Sequence, residues 1–402
     1  MTDLHPAERQ LLDDAACAPM LAQVERWSAI NSGSRNLAGL ARMADELSDA
    51  FSILPGELKL LDGDKVEVVQ PDGAVTSVAH GRHLHLSVRP DAPVRILLTG
   101  HMDTVFPQDH VFQHLRWIEP GVLNGPGTAD MKGGLAVMLA ALHAIERSDA
   151  VTRIGYEVVI NSDEEVGSPS SAALLRQAAE GKVAAFTYEP ALQDGTLAGA
   201  RAGSGNFSIV VTGRSAHAGR NPEEGRNALL AAADLALRLK AGSGGGFSCN
   251  PAKIDGGSPN NVVPDHAVLR VNFRPRTPQD EAAARALIER SMEDVARAHD
   301  VTLHLHGGFG RPPKPMDAKA ERLFGLVRQC GADLGLSIGW RDTGGVCDGN
   351  NIAACGVPVV DTMGVRGGDI HSDAEFLLTD SLPERAQLSA LAIWRVAHGQ
   401  FR

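Results

Sequence analysis

The chain has 402 residues, 43% hydrophobic and 22% charged, with a net charge of −11 and an aromatic share of 4%. That length suits two or three domains rather than one. The acidic balance, the lack of a basic stripe and the few rings for base stacking argue against a nucleic-acid partner, and no apolar run reaches the length of a membrane span. The N-terminus, MTDLHPAERQLLDDAACAPM, is acidic and has neither the basic start nor the apolar core of a signal peptide, so a cytoplasmic protein is expected. The five cysteines (Cys17, Cys249, Cys330, Cys347, Cys355) contain no CxxC pair and read as small buried apolar side chains.

In chain order, apolar positions spaced three and four apart around Leu11, Leu12, Met20, Val24, Trp27 and from Leu37 to Leu47 predict helices in the first fifty residues. Strand signals follow in KVEVV, AVTSVA, HLHLSV and VRILLTG, the last ending at Gly100. MKGGLAVMLAALHAIERS, residues 131–148, has helical periodicity, and IGYEVVI and VAAFTY read as buried strands. Short apolar runs alternating with helices predict an α/β domain with a mostly parallel central sheet.

The pattern changes near Ala202. NFSIVVTG, the helix NALLAAADLALRLK, HAVLRVNFRP, the helix EAAARALIERSMEDVARAH and VTLHLHGG describe a compact α+β unit, with AGSGGG as a loop. After RPPKP the α/β character returns in ERLFGLVRQCGADL, GVPVVDTMG and a last helix, SLPERAQLSALAIWRVAHG. The expected organisation is a catalytic domain in two pieces, 1–201 and 312–402, with an α+β domain inserted over 202–311.

Polar residues recur where the apolar strands end, the edge at which open α/β sheets bind ligands. VRILLTG runs into His101-Met102-Asp103, Asp130 precedes the long helix, IGYEVVI leads to Asp163-Glu164-Glu165, VAAFTY to Glu189, and GVPVVDTMG through VRGGDI to His371-Ser372-Asp373. An isolated His-x-Asp or Glu-Pro is common by chance; recurrence after successive strands is what points to a metal site. Two histidines with several carboxylates suit zinc, with manganese or cobalt also compatible. Such cations would offset the repulsion within the Asp-Glu-Glu run. On extended backbone, adjacent glutamates point apart, one to metal and one to its water as general base.

GHMDTVFP, NGPGTADMKGG, NSDEEVGS, YEP, GRSAHAG and HSDAEF, in this order between residues 100 and 376, resemble the zinc-hydrolase family of carboxypeptidase G, acetylornithine deacetylase, succinyl-diaminopimelate desuccinylase and aminoacylase. The resemblance implies two zinc ions per chain, His101 and Glu189 on one, Glu165 and His371 on the other, and Asp130 bridging. It makes Glu164 the general base that deprotonates a metal-held water for attack on an amide carbonyl, and Asp103 the carboxylate that orients His101. The inserted domain would build a homodimer, with His217 reaching into the partner's site and Asn261 acting as a lid residue near the substrate.

Glutamate in YEP is similar to the carboxypeptidase G branch, whose substrates carry a free carboxylate, and Arg311 matches an arginine of that pattern as its anchor. RDTGGVCDGN resembles the branch's substrate loop, with Arg341 displaced by one position. The expected activity is hydrolysis of N-acyl or peptidyl amino acids. The alternatives are a deacylase of acetylornithine type or a non-catalytic binding relative.

Overall fold

In the computed structural model, which describes residues 4–401, the apolar runs assemble into a six-stranded mixed sheet. Its order is Glu57–Leu61, His83–Val88, Ile154–Asn161, Val94–His101, Ala184–Thr187 and Val359–Val360. The last four strands run parallel, and only His83–Val88 opposes its neighbours. Those four are apolar nearly throughout because helices cover both faces. Along Val94–His101, Ile96 and Leu98 enter one core while Leu97 enters the other, as the two-residue period of a strand requires.

Helix Gly133–Glu146 lies against the sheet and packs on Pro6–Ala16 and Ser381–Ala397. Only His143 and Glu146 escape full burial, and such a helix must be apolar all round. Its start approaches the end of strand Ala184–Thr187 closely. A Cβ at Gly134 would stand 2.0 Å from the Tyr188 backbone oxygen, and one at Gly364 2.3 Å from the same atom. The Tyr188 carbonyl is thus packed against two glycines.

Residues 204–311 contribute a second sheet, antiparallel, in the order Phe247–Gly256, His266–Pro275, Ser204–Thr212, Thr302–Arg311. Helices Ala228–Ala241 and Pro278–His299 pack on it around a core that includes Ile209, Leu235, Leu269, Phe273 and Ile288. The longer helix begins with a capping box, Thr277 and Asp280 flanking Pro278.

Several elements differ from the sequence reading. Phe247–Gly256 carries Pro251 and a register shift, and holds an edge, where a missing donor is tolerated. KVEVV and AVTSVA form a separate hairpin, Val66–Val69 with Val75–Val78, instead of joining the central sheet. Val69 packs on Val210 and Val268 of the second sheet, and Arg270 Nη2 donates to its carbonyl at 2.9 Å. A further small sheet, Gly367–Gly368, Phe376–Leu378, Val122–Asn124 and Arg116–Glu119, lies beside the site. Cys17 and Cys355 are exposed, contrary to the expectation of burial, while Cys249, Cys330 and Cys347 are buried. Among the described residues no helix is long and apolar enough to cross a membrane.

Candidate metal centre and cleft

His101 is the last residue of its parallel strand, Glu189 lies two beyond Thr187, and the acidic run begins two beyond Asn161. Three strand ends therefore deliver side chains to one point. Asp130 comes from the irregular turn before helix Gly133–Glu146, and His371 from a loop in which its own φ is 64°.

The His101 ring nitrogen Nε2 lies 3.1 Å from Asp130 Oδ1 and 3.7 Å from Glu189 Oε2. His371 Nε2 lies 3.3 Å from Asp130 Oδ2 and 3.3 Å from Glu165 Oε2. Asp130 thus turns one oxygen to each histidine. The donor atoms of His101, Asp130 and Glu165 lie within 4.8 Å of one another, and so do those of His101, Glu164 and Glu189. An all-nitrogen-and-oxygen set without thiolate fits zinc, manganese or cobalt.

Asp103 meets His101 through its backbone as well as its carboxylate. Its backbone oxygen, 2.9 Å from His101 Nδ1, is an acceptor only, so Nδ1 carries the proton and Nε2 is the nitrogen left to bind an ion. Its carboxylate accepts from Ser34 Oγ at 2.7 Å and from the backbone N–H groups of Glu164 at 3.1 Å and Glu165 at 3.2 Å. It holds the acidic turn, with Oδ1 3.5 Å from the imidazole.

That turn separates the three acids. Glu164–Val166 form one turn of 3₁₀-helix rather than extended chain, so successive side chains diverge by about 120°. Asp163 points inward and accepts from Ser170 N at 2.6 Å, Ser170 Oγ at 2.8 Å and Ser171 Oγ at 2.6 Å. Glu164 faces Arg311, and Glu165 faces His371.

Burial pushes Glu165 up to about 8, with the Asp130 charge adding to it. Glu164 rises to about 7, again by burial, with Arg311 opposing and Glu189 reinforcing. Hydrogen bonds to Asp130 and Glu165 raise His371 to about 10. Burial works against a charged His101, but Glu189, Asp103 and Asp130 outweigh it and hold its pKa well above the usual value. The protein thus crowds buried carboxylates that favour added positive charge, which protons or a divalent cation can provide.

The cluster opens into a cleft of about 1450 Å³ between the two sheets, lined by Glu164, Glu189, Arg201, Arg274, Arg311 and His371 among others. Arg311 is buried, and its Nη2 donates to Glu164 O at 2.8 Å and Ser168 Oγ at 2.9 Å. It also pairs with Glu164 Oε1 at 2.6 Å and Asp348 Oδ1 at 3.5 Å. Arg274 has no carboxylate within pairing distance among the described residues and donates only to Asn272 Oδ1, at 2.9 Å. Beneath the cleft, Arg201 and Lys314 converge on fully buried Asp361 at 2.7 and 3.0 Å.

His217 and Asn261 sit together, through a backbone bridge from His217 to Val262 and a bond from Ala218 N to Asn261 O at 3.0 Å. Both are exposed and neither lines the cleft of its own chain. Sequence reasoning did not single out Arg274, Asp348 or Glu375. The signals were present: Asp348 follows the TGG run, and Glu375 closes HSDAEF.

Residues 97–395 match the peptidase family M20/M25/M40. Carboxypeptidase G2 of Pseudomonas sp. (strain RS-16) is 28% identical over 393 residues, covering 95% of this chain and 90% of that one. Succinyl-diaminopimelate desuccinylase of Verminephrobacter eiseniae (strain EF01-2) is 28% identical over 306 residues, 71% of this chain and 74% of the relative. A tripeptidase structure from Staphylococcus aureus subsp. aureus mu50 superposes with a TM-score of 0.71 at 24% identity, over 94% of this chain and 98% of that one. With the family match spanning most of the sequence and the clustered strand ends inside it, the chain belongs to the peptidase family M20/M25/M40 and is a hydrolase of amide bonds.

Proposed function

We propose that the protein is a two-metal amidohydrolase that releases an amino acid bearing a free carboxylate from an N-acyl or peptidyl precursor. The observation that carries the two-metal reading is Asp130, one oxygen facing His101 and the other His371. His101 and Glu189 would hold one ion, Glu165 and His371 the other, and Asp130 both, with zinc the expected metal and manganese or cobalt compatible. Bound there, the ions supply Lewis acidity and a lowered water pKa.

Glu164 is the proposed general base. It is buried beside the cluster and opens on the cleft. A carboxylate there takes a proton from water as the oxygen attacks the amide carbon, then gives it to the leaving nitrogen. The substrate's carboxylate is assigned to the arginines of the cleft: Arg311, as its sequence context implies, and Arg274, whose lack of an acidic partner supports the same role. Relatives bearing the names carboxypeptidase and desuccinylase support amides of that kind as substrates.

We assign the oxyanion contact to His217 of a second copy, with Asn261 beside it. Their position outside their own cleft supports this, as do the exposed Leu229, Leu230 and Leu237 of helix Ala228–Ala241, which offer an apolar face to a partner. Metal analysis, with mass spectrometry of a panel of N-acyl amino acids and dipeptides, tests the proposal. Hydrolysis of the carboxylate-bearing members, dependent on metal, is expected. Turnover confined to small biosynthetic amides would favour a deacylase, and no turnover by fully metallated protein would overturn an enzymatic role for this site.

A further inference from the structure

Glu375 is 1% exposed, lies four residues past His371, and has no cationic side chain within ion-pairing distance among the described residues. Its carboxylate is directed at backbone instead. Oε1 accepts from Ala129 N and Asp130 N, both at 3.0 Å, and Oε2 from Gly127 N at 3.1 Å. Its own carbonyl accepts from Asn124 Nδ2 at 2.8 Å and Gly125 N at 3.2 Å, while Asn124 Nδ2 also reaches Asp373 O at 3.1 Å. Next along the chain, Phe376 pairs with Asn124 in the small sheet. The loop carrying Asp130 and the loop carrying His371 are therefore fastened to each other at one residue.

We infer that Glu375 is a positioning residue that holds the Asp130 loop and the His371 loop in register, so that the Asp130 carboxylate spans the two histidines. The inference rests on the metal-centre reading above. The acceptor chemistry is specific. N–H groups approach both oxygens, and a carboxylate offers acceptor sites on each of them. A glutamine would keep the two bonds at one oxygen and set its NH2 against the Gly127 N–H. Burying a further carboxylate near Asp130 is unfavourable, and the three backbone N–H bonds offset that cost.

The test uses the full-length protein and two readouts: zinc affinity by competition with a chromophoric chelator, and amide hydrogen exchange of the metal-free protein. Glu375→Ala is expected to weaken zinc binding at least about tenfold, the range for residues that orient ligands. It should also speed exchange at Gly127, Ala129 and Asp130 while Ser204–Thr212 stays unchanged. Glu375→Gln should fall between it and wild type, and it serves as the variant of record if the alanine does not fold. Asn124→Ala should shift both readouts in the same direction. Wild-type affinity and exchange in Glu375→Gln and Glu375→Ala would overturn the inference, as would faster exchange spread evenly over both sheets. If wild type itself bound no zinc, the metal-centre reading would fail, and exchange at residues 127–130 would still decide whether Glu375 fastens the loops.

Discussion

Arg311 Nη2 lies 2.6 Å from Glu164 Oε1 and 2.8 Å from the backbone oxygen of the same residue. The last residue of a strand in the second sheet thus grips the turn that presents the proposed base. Glu164→Gln preserves the shape of this contact and removes the basicity. We expect kcat to fall at least roughly a hundredfold, the usual scale for acid–base work, with metal content near wild type. Complete metal loss in this variant, measured by elemental analysis, would make Glu164 a ligand instead.

Metal content should approach two ions per chain, and chelation should abolish hydrolysis. Asp130→Ala should lose more metal than Asp103→Ala, since Asp130 faces both histidines whereas the Asp103 carboxylate holds backbone N–H groups. Fully active protein with a single ion would contradict the bridging role.

For substrate anchoring, comparison of each acid with its amide is decisive. An arginine that pairs with the acid's carboxylate loses that charge partner on the amide, which disfavours the amide. Arg274→Ala is expected to narrow the acid-over-amide preference at least about tenfold, a 1.4 kcal/mol change. Arg311→Ala should narrow it too, and should also lower kcat on the amide because Glu164 loses its partner. An unchanged kcat/KM ratio in either variant removes that arginine from the anchor.

The proposed shared site predicts complementation. His217→Ala and Glu164→Ala homodimers should each be nearly inactive. Refolded together, half the dimers are mixed and half of their sites carry both groups, so activity should recover to roughly a quarter of wild type. If refolded wild-type controls recover and the mixture stays inactive, His217 does not act across the dimer.

Below the cleft, stability should depend on Asp361. Burial opposes its charge, but Arg201 and Lys314 outweigh that and hold its carboxyl below the ordinary value. Its contribution is therefore fully present above the unfolded pKa, near 4, and is lost as pH falls through the depressed folded value. Asp361→Asn leaves two buried cations short of their partner and should cost about 3–5 kcal/mol at pH 7. Urea unfolding at pH 7 and at about pH 2.5 checks this, with a smaller difference between variant and wild type expected at the lower pH, where the carboxyl is being protonated.

The clustered residues were legible because each follows an apolar strand or precedes an apolar helix, and parallel strands deliver their ends to one edge. His101, Asp130, Glu165, Glu189 and His371 meet on that account. What was hidden depends on partners far away in the chain. Nothing local to Asp103 says that its carboxylate will hold N–H groups sixty residues on. Nothing near Arg311 announces Glu164 or Asp348, and no pattern in HSDAEF tells which residue faces the carboxylate cluster and which binds backbone. The hairpin of KVEVV and AVTSVA was legible as strands but not as a separate unit, for a related reason. Its alternation is real, but alternation does not specify which sheet, or whether any larger sheet, will take the strands.

Gly134 and Gly364 leave room for the Tyr188–Glu189 backbone, at separations no side chain could occupy. Those absent methyl groups work as a gauge block. They fix where the Tyr188 carbonyl can lie, and with it the start of the segment that carries Glu189 toward His101. A side chain at either position would have to push that segment aside, and so would move Glu189 without altering Glu189 itself.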